Sequence, residues 1–257
     1  MEWIEQLPAY LLVLARVLAF FTTMPLFSYR NVPSYFKVGL GIFFAFFILF
    51  SIDAPVMEVD STFILILFKE ILVGLSIGLL AGMLLYAVQT AGMFLDTSLG
   101  FLMANVIDPQ TGAQTPLTGG YLYTFTLLLL LALDGHHMML DGMFYSYNFI
   151  PMDQVTLPFG DEEVVRHVAK SFALMFMIAF QMAFPVMGAL FLVDIALGMM
   201  ARAVPQMNVF VVGLPLKIFA GMPLLAIGLP SFYLVVENLF DHTYEAMRVL
   251  MTLLGSA

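Results

Sequence analysis

One group of side chains in this sequence could support metal or acid-base chemistry: Asp134, His136, His137 and Asp141. His137 and Asp141 are four residues apart, so on a helix they would share a face and could hold a metal ion. Asp134-Gly135 is also a turn signal, and a helix end at a membrane interface explains the same residues. No HExxH motif, P-loop or GxGxxG motif accompanies the group. We therefore predict no enzymatic activity, no metal site and no cofactor.

Four further ionisable residues lie inside otherwise apolar segments: Lys69, Glu70, Asp96 and Asp194. A charge facing lipid costs roughly 2.5–3.5 kcal/mol on insertion scales, so we expect buried polar contacts at all four. Lys69 and Glu70 are neighbours and point to different sides of a helix, so we expect their partners on other elements. The four residues fit an ion path through a transporter, and they equally fit polar contacts within or between subunits.

The composition identifies the class of protein. Hydrophobic residues make up 62% of the 257 residues, charged residues 11%, and the mean hydropathy is +0.99. Soluble domains contain about 25% charged residues, so we predict an all-α integral membrane protein with room for about six helices of ~20 residues. The absence of cysteine excludes disulfides and thiolate metal sites.

Several apolar segments are too long for a simple span. Segment 62–103 would be about 63 Å long at ~1.5 Å per residue, whereas the hydrocarbon slab is ~30 Å thick. Prolines interrupt the later segments, so we predict long, kinked helices and helical hairpins packed against protein. The predicted segments are 7–27, 38–52, 62–103, one starting at 121, 164–200 and 209–240.

Gly74, Gly78 and Gly82 recur every four residues within the third segment. Such a row lets another helix backbone approach closely. We predict a helix-packing face there, made either within the chain or with another subunit.

A polar break at 104–120 separates the two most apolar parts of the chain, and it contains Asp-Pro, Thr-Gly and Thr-Pro pairs. These pairs predict a non-helical loop. Irregular backbone at membrane depth survives only inside protein or beside water. The loop therefore lies at the membrane surface or lines a protein cavity.

Basic and acidic connections alternate along the chain. Arg30 and Lys37 follow the first segment, and Arg202 and Lys217 flank the break after the fifth. The positive-inside rule then places connections 28–37 and 202–208 in the cytoplasm and both termini outside.

Six stretches resemble one known family: LARVLAFFTTMPLFSYRNVPSYFKVGLGI at 14–42, the pair GLSIGLLAGM and AVQTAGMFLDTSLGF, the loop VIDPQTGAQTP, DGH at 134–136, and AVPQMNVFVVGLPLKI at 203–218. They are similar to the R subunits of flagellar type III export gates, the FliR family, which is related to the T subunits of virulence secretion systems. The resemblance covers nearly the whole chain.

The resemblance implies a non-enzymatic gate subunit in the bacterial inner membrane, within the flagellar basal body and largely on its periplasmic side. In that family one R subunit joins about five P and about four Q subunits in a helical spire that exports unfolded flagellar proteins. It also implies contact with an A subunit and with membrane lipid, and none with nucleic acid. Residues 1–163 would be a P-like part and 164–257 a Q-like hairpin.

The resemblance also implies residue roles. The cytoplasmic connection with Arg202, Pro205, Gln206 and Lys217 would meet a B subunit. The loop between the third and fourth segments would plug the closed channel through Val106, Ile107, Asp108, Pro109, Gln110, Thr111, Gly112, Ala113, Gln114, Thr115 and Pro116.

Two other functions remain open at the level of sequence. One is a self-contained multi-pass transporter that couples ions through Lys69, Glu70, Asp96 and Asp194. The other is an intramembrane metalloenzyme built on 134–141.

Overall fold

The computed structural model describes residues 5–29, 32–52, 55, 57, 59–101, 116–206 and 208–256. Within those ranges the chain forms seven α-helices and no β-strand, so the prediction of an all-α membrane protein is confirmed. The helices are α1 Leu7–Thr23, α2 Ser34–Ser51, α3 Ser61–Leu99, α4 Leu117–Ala132, α5 Gly135–Phe149, α6 Glu162–Ala203 and α7 Val209–Leu254.

The chain divides into two compact units. Unit 1 contains Met1–Leu84, Leu130–Phe172 and Asp241–Ala257, and unit 2 contains Leu85–Leu129 and Ala173–Phe240. Helices α3, α4, α6 and α7 each contribute residues to both units. The division into a P-like part and a Q-like hairpin at residue 163 stays a prediction.

Three helices are much longer than a membrane span, as their apolar sequences predict. Helix α3 has 39 residues, α6 has 42 and α7 has 46. Helix α6 contains Pro185, and α7 contains Pro215, Pro223 and Pro230. We expected α7 to end near 240, but it continues to Leu254 because the closing stretch keeps an apolar face and contains no proline or glycine before Gly255.

Among the described residues, four helices are long and apolar enough to cross a membrane: α2, α3, α6 and most of α7. Helices α4 and α5 make a fifth candidate if they are taken as one bent span, and α1 is shorter. The sequence predicted six apolar segments. Within the described ranges there are seven helices, because the fourth segment is broken in two.

That break lies at Asp134, where α4 gives way to α5 with a bend of 71°. Asp134 has a left-handed backbone with φ of 57°, which short polar side chains tolerate better than bulky ones. The Asp-Gly turn signal therefore marks a real helix end.

The glycines of α3 lie against α1 inside unit 1. A Cβ at Gly74 would collide with the carbonyl oxygen of Arg16, and one at Gly78 with the Thr23 hydroxyl. At Gly82 it would lie 3.3 Å from the Thr23 carbonyl oxygen. The missing side chains thus allow the backbones of the two helices to approach, as in other small-residue interfaces.

Asp60 caps the start of α3. Its Oδ1 accepts hydrogen bonds from the N–H groups of Thr62 and Phe63, at 2.9 and 3.1 Å, and from the Thr62 hydroxyl. The hydroxyl of Thr62, followed by the backbone N–H of Phe63, lowers the pKa of Asp60 below its usual value. The charged carboxylate is therefore the form that stabilises this helix end.

We expect Asp60→Ala to lower the thermal midpoint of unfolding slightly at pH 7. A carboxyl whose pKa is lowered by folding stabilises the protein above its unfolded pKa of about 3.9, and this contribution disappears as the pH falls through the folded pKa. The difference in midpoint between the parent and the variant should therefore shrink in acid. A difference that stays constant down to low pH would contradict this role for the charge.

Candidate functional site

A buried ion pair joins α1 to α3 in unit 1. Arg16 Nε donates to Glu70 Oε2 at 2.5 Å, and Arg16 Nη2 donates to Glu70 Oε1 at 2.8 Å. Both side chains are 0% exposed. Two parallel hydrogen bonds between a guanidinium and a carboxylate are strong and directional, so this pair sets how α1 and α3 lie against each other.

Arg16 also contacts α5 and the residue that follows it. Its Nη1 donates to Ser146 Oγ and its Nη2 to the Ile150 carbonyl oxygen, both at 3.0 Å. The guanidinium carbon lies 3.9 Å from the centroid of the Tyr147 ring, which is a cation–π distance. One arginine therefore links three helices of unit 1.

Lys69 completes this network. Its Nζ donates to Glu70 Oε1 at 2.6 Å and to the carbonyl oxygens of Pro151 and Met152 at 2.8 and 3.3 Å. Both residues have partners on other elements, as we expected. The expectation that they do not also pair with each other was wrong, because the long lysine side chain reaches back to the neighbouring carboxylate. Two cations share one carboxylate here, and carbonyls just beyond α5 accept the remaining hydrogen bonds.

The role of this network is to stabilise the packing of the helices. Every polar head in it has a partner, and the side chains of Arg16, Glu70 and Lys69 are at most 3% exposed. Arg16 is the residue that the site predictions missed. The signal was present in the sequence, since an arginine inside the apolar segment 7–27 must find a buried partner or reach water.

Asp96 lies in unit 2 and is also fully buried, at 0% exposure. Its two carboxylate oxygens accept the N–H of Thr118 at 3.1 and 3.2 Å. Thr118 belongs to the first turn of α4, whose N–H groups have no partners within their own helix. The carboxylate therefore caps α4 from a different helix, directly after the predicted plug loop.

Leu99 and Gly100, which precede the predicted plug loop, are held by apolar contacts. Helix α3 ends at Leu99, and Gly100 follows with φ of 85°, the left-handed conformation that commonly ends helices. Leu99 is fully buried, and a Cβ at Gly221 of α7 would collide with it. The predicted plug residues Val106–Thr115 lie outside the described residues, and Pro116 is half-buried at the start of α4.

Asp194 and Lys217 form an ion pair between α6 and α7 in unit 2. Lys217 Nζ lies 2.5 Å from Asp194 Oδ1. We expected Asp194 to be buried, but its side chain is 45% exposed and that of Lys217 is 20% exposed in the isolated chain. The negative charge of Asp194 is therefore compensated by the positive charge of Lys217, although Asp194 is not buried.

The predicted partner connection lies between α6 and α7. Arg202 is in the last turn of α6, and Pro205 and Gln206 follow it; all three are exposed. Their exposure leaves them available to another protein. Contact with a B subunit remains a prediction.

The structure brings Asp134, His136 and His137 together at the break between α4 and α5. One possible ligand atom from each lies within 4.8 Å of the other two, and His137 Nδ1 is 3.2 Å from Asp134 Oδ1. The side chains of His137 and Asp134 are 65% and 77% exposed. Asp141, which the sequence suggested as a partner of His137, is not in this group. These three residues could hold a metal ion, although they lie at the N-terminal end of α5, where the helix dipole disfavours a cation.

The family of the chain follows from its match to a known family model. The family model described as bacterial export proteins, family 1, matches residues 7–243. The chain belongs to this family. The resemblance inferred from the sequence motifs is therefore confirmed.

Individual flagellar and translocation proteins are similar to the chain over most of its length. The flagellar biosynthetic protein FliR of Bacillus subtilis is 51% identical, with 98% of each chain covered. FliR of Escherichia coli is 30% identical over 96% of this chain and 94% of its own. The Yop proteins translocation protein T of Yersinia pestis is 30% identical over 94% of this chain and 91% of its own.

Proposed function

We propose that this chain is a structural and gating subunit of the flagellar type III protein export apparatus, with no catalytic activity of its own. The observation that carries the proposal is the 51% identity to a flagellar biosynthetic protein FliR across 98% of both chains. Similarity to a Yop translocation protein over 94% of this chain supports the wider class of type III export.

The surface of the helices supports a role inside a larger assembly. Only 11% of the residues in the apolar stretch of α7 are buried within the chain, and 22% in α2. Large apolar side chains such as Phe43, Phe191 and Phe219 are 57%, 62% and 81% exposed. Lipid or protein must cover such faces, and we propose that P and Q subunits of an inner-membrane gate cover much of them.

The polar side chains support a structural role better than an ion path. Arg16, Lys69 and Glu70 satisfy one another and nearby carbonyls, and Asp194 is paired with Lys217. An ion-coupling site needs a group that can exchange its partner for an ion. The self-contained transporter therefore remains the weaker candidate.

Within the gate, we propose that Val106–Pro116, in the loop predicted at 104–120, plug the closed channel. We also propose that the connection with Arg202, Pro205 and Gln206, together with Lys217, meets the B subunit. A short, polar segment with proline and glycine forms a compact non-helical obstacle that tolerates water. The A subunit and unfolded flagellar proteins are the other expected partners.

Deleting the gene for this chain tests the function. We expect the strain to lose secretion of flagellar filament and hook proteins while the cells still make them, and a plasmid copy should restore secretion. Growth and solute uptake should be unchanged. Normal secretion in the deletion strain would contradict the proposal, and a specific loss of solute uptake would favour the transporter.

A further inference from the structure

Asp134, His136 and His137 lie together at the start of α5, inside unit 1. One possible ligand atom from each residue lies within 4.8 Å of the other two. His137 Nδ1 and Asp134 Oδ1 are 3.2 Å apart, close to the roughly 3.3 Å that separates two ligands of a tetrahedral Zn²⁺ with bonds of about 2.0–2.1 Å. Small movements of these side chains would bring all three ligand atoms to one cation.

His136 gives a second, independent indication of a ligand. Its Nδ1 atom is buried and, among the residues that the structure describes, has no hydrogen-bond partner. A buried polar atom without a partner is costly, and an imidazole nitrogen that makes no hydrogen bond is free to offer its lone pair to a metal ion. The ring centroids of His136 and His137 are 4.0 Å apart, so the two imidazoles are adjacent.

The donor set suits a divalent transition metal. Imidazole nitrogens suit Zn²⁺, Cu²⁺ and Ni²⁺, whereas Mg²⁺ and Ca²⁺ prefer oxygen ligands. Two imidazoles and one carboxylate are the protein ligands of known zinc sites in which water fills the fourth position. The pair that the sequence suggested, His137 with Asp141, contains one imidazole, whereas the observed group contains two. The structure thus offers a stronger set of ligands than the sequence pattern did.

We propose that Asp134, His136 and His137 form a binding site for Zn²⁺ or a similar divalent transition metal ion. The ion ties Asp134, the residue with the left-handed backbone, to the first turn of α5 and so stabilises the start of this helix. The dipole of α5 opposes a cation at this end by roughly fivefold in affinity at most, and the carboxylate of Asp134 offsets that effect. The site is independent of the proposed export function.

Titration of the full-length chain with Zn²⁺ tests the site. The protein is purified in detergent through a tag without histidine, treated with a chelator that is then removed, and titrated by calorimetry in excess Mg²⁺. We expect saturable binding of one Zn²⁺ per chain. Because a ligand that binds only the folded state stabilises it, the thermal midpoint should rise by roughly 5–10 °C when free Zn²⁺ is a hundredfold above the dissociation constant.

Three variants each remove one ligand: His136→Ala, His137→Ala and Asp134→Asn. Asparagine also tolerates a left-handed backbone, so Asp134→Asn removes the charge and keeps the helix start. Loss of a group that merely supports a metal ligand typically costs 10–100-fold in affinity, so we expect each variant to lose at least tenfold, with a smaller thermal rise. His242→Ala is the matched control, because His242 is an exposed histidine of α7 outside the group, and it should bind as the parent does.

A parent chain that shows no saturable Zn²⁺ binding overturns the proposal. Parent affinity in both His136→Ala and His137→Ala overturns it too, and so does an equal loss in His242→Ala, since the ion would then be held elsewhere. If one ligand variant fails to fold, as judged by its thermal unfolding without metal, the other two are read by the same outcomes.

Discussion

Deletion of residues 110–114 should leave the export gate assembled and make the membrane that contains it leak ions. Both ends of the loop are held by contacts outside the deleted stretch, from Leu99 and Gly100 on one side and from Thr118 on the other. The helices should therefore pack as before while the proposed plug becomes smaller. Conductance of the purified gate in a planar bilayer measures the effect.

A matched variant separates loss of the obstacle from damage to the gate. Replacing residues 110–114 by the same number of glycines and serines keeps the chain length, so its leak should be smaller than that of the deletion. A deletion variant that is fully assembled and conducts no more than the parent would contradict the plug.

The second large effect concerns the buried network of unit 1. Arg16→Ala leaves Glu70 with Lys69 alone and leaves Ser146 and the Ile150 carbonyl without their donor. Removing one partner of a buried ion pair typically costs about 3–5 kcal/mol, which is a large share of the stability of a domain. We expect the chain to accumulate poorly in the membrane and the purified protein to unfold at a lower temperature.

Glu70→Ala should be more harmful than Arg16→Ala, because it leaves two cations close together without a carboxylate. Arg248→Ala is the control, since Arg248 is exposed near the end of α7. Equal accumulation and equal thermal midpoints for the Arg16 and Arg248 variants would show that the network does not stabilise the fold.

The sequence predicted which stretches are helical better than it predicted what those helices touch. Apolar runs and breaker residues located the helices to within a few residues in most cases, and the Asp-Gly turn signal marked the helix end at Asp134. The division of the fourth segment into two helices was not predicted. Partners such as Arg16 and Glu70 are 54 residues apart, and Asp96 and Thr118 are 22 apart. Periodicity within a segment does not specify which other segment it meets, so these contacts were not predictable.

Side-chain reach explains the other differences. Adjacent positions on a helix point apart, yet Lys69 bends back to Glu70 because its four-carbon stem is flexible. Asp194 lies in an apolar stretch but is exposed in the isolated chain and contacts Lys217 of the next helix. Hydropathy locates a charge along the chain and does not identify the group that neutralises it.

We propose that the exposed apolar faces of these helices are covered mainly by other subunits of one export gate. Native mass spectrometry of the complex purified through this chain measures that directly. We predict a hetero-oligomer in which one copy of the chain accompanies two other small membrane proteins in a fixed, unequal ratio. A lone monomer or a homodimer surrounded by lipid would contradict it.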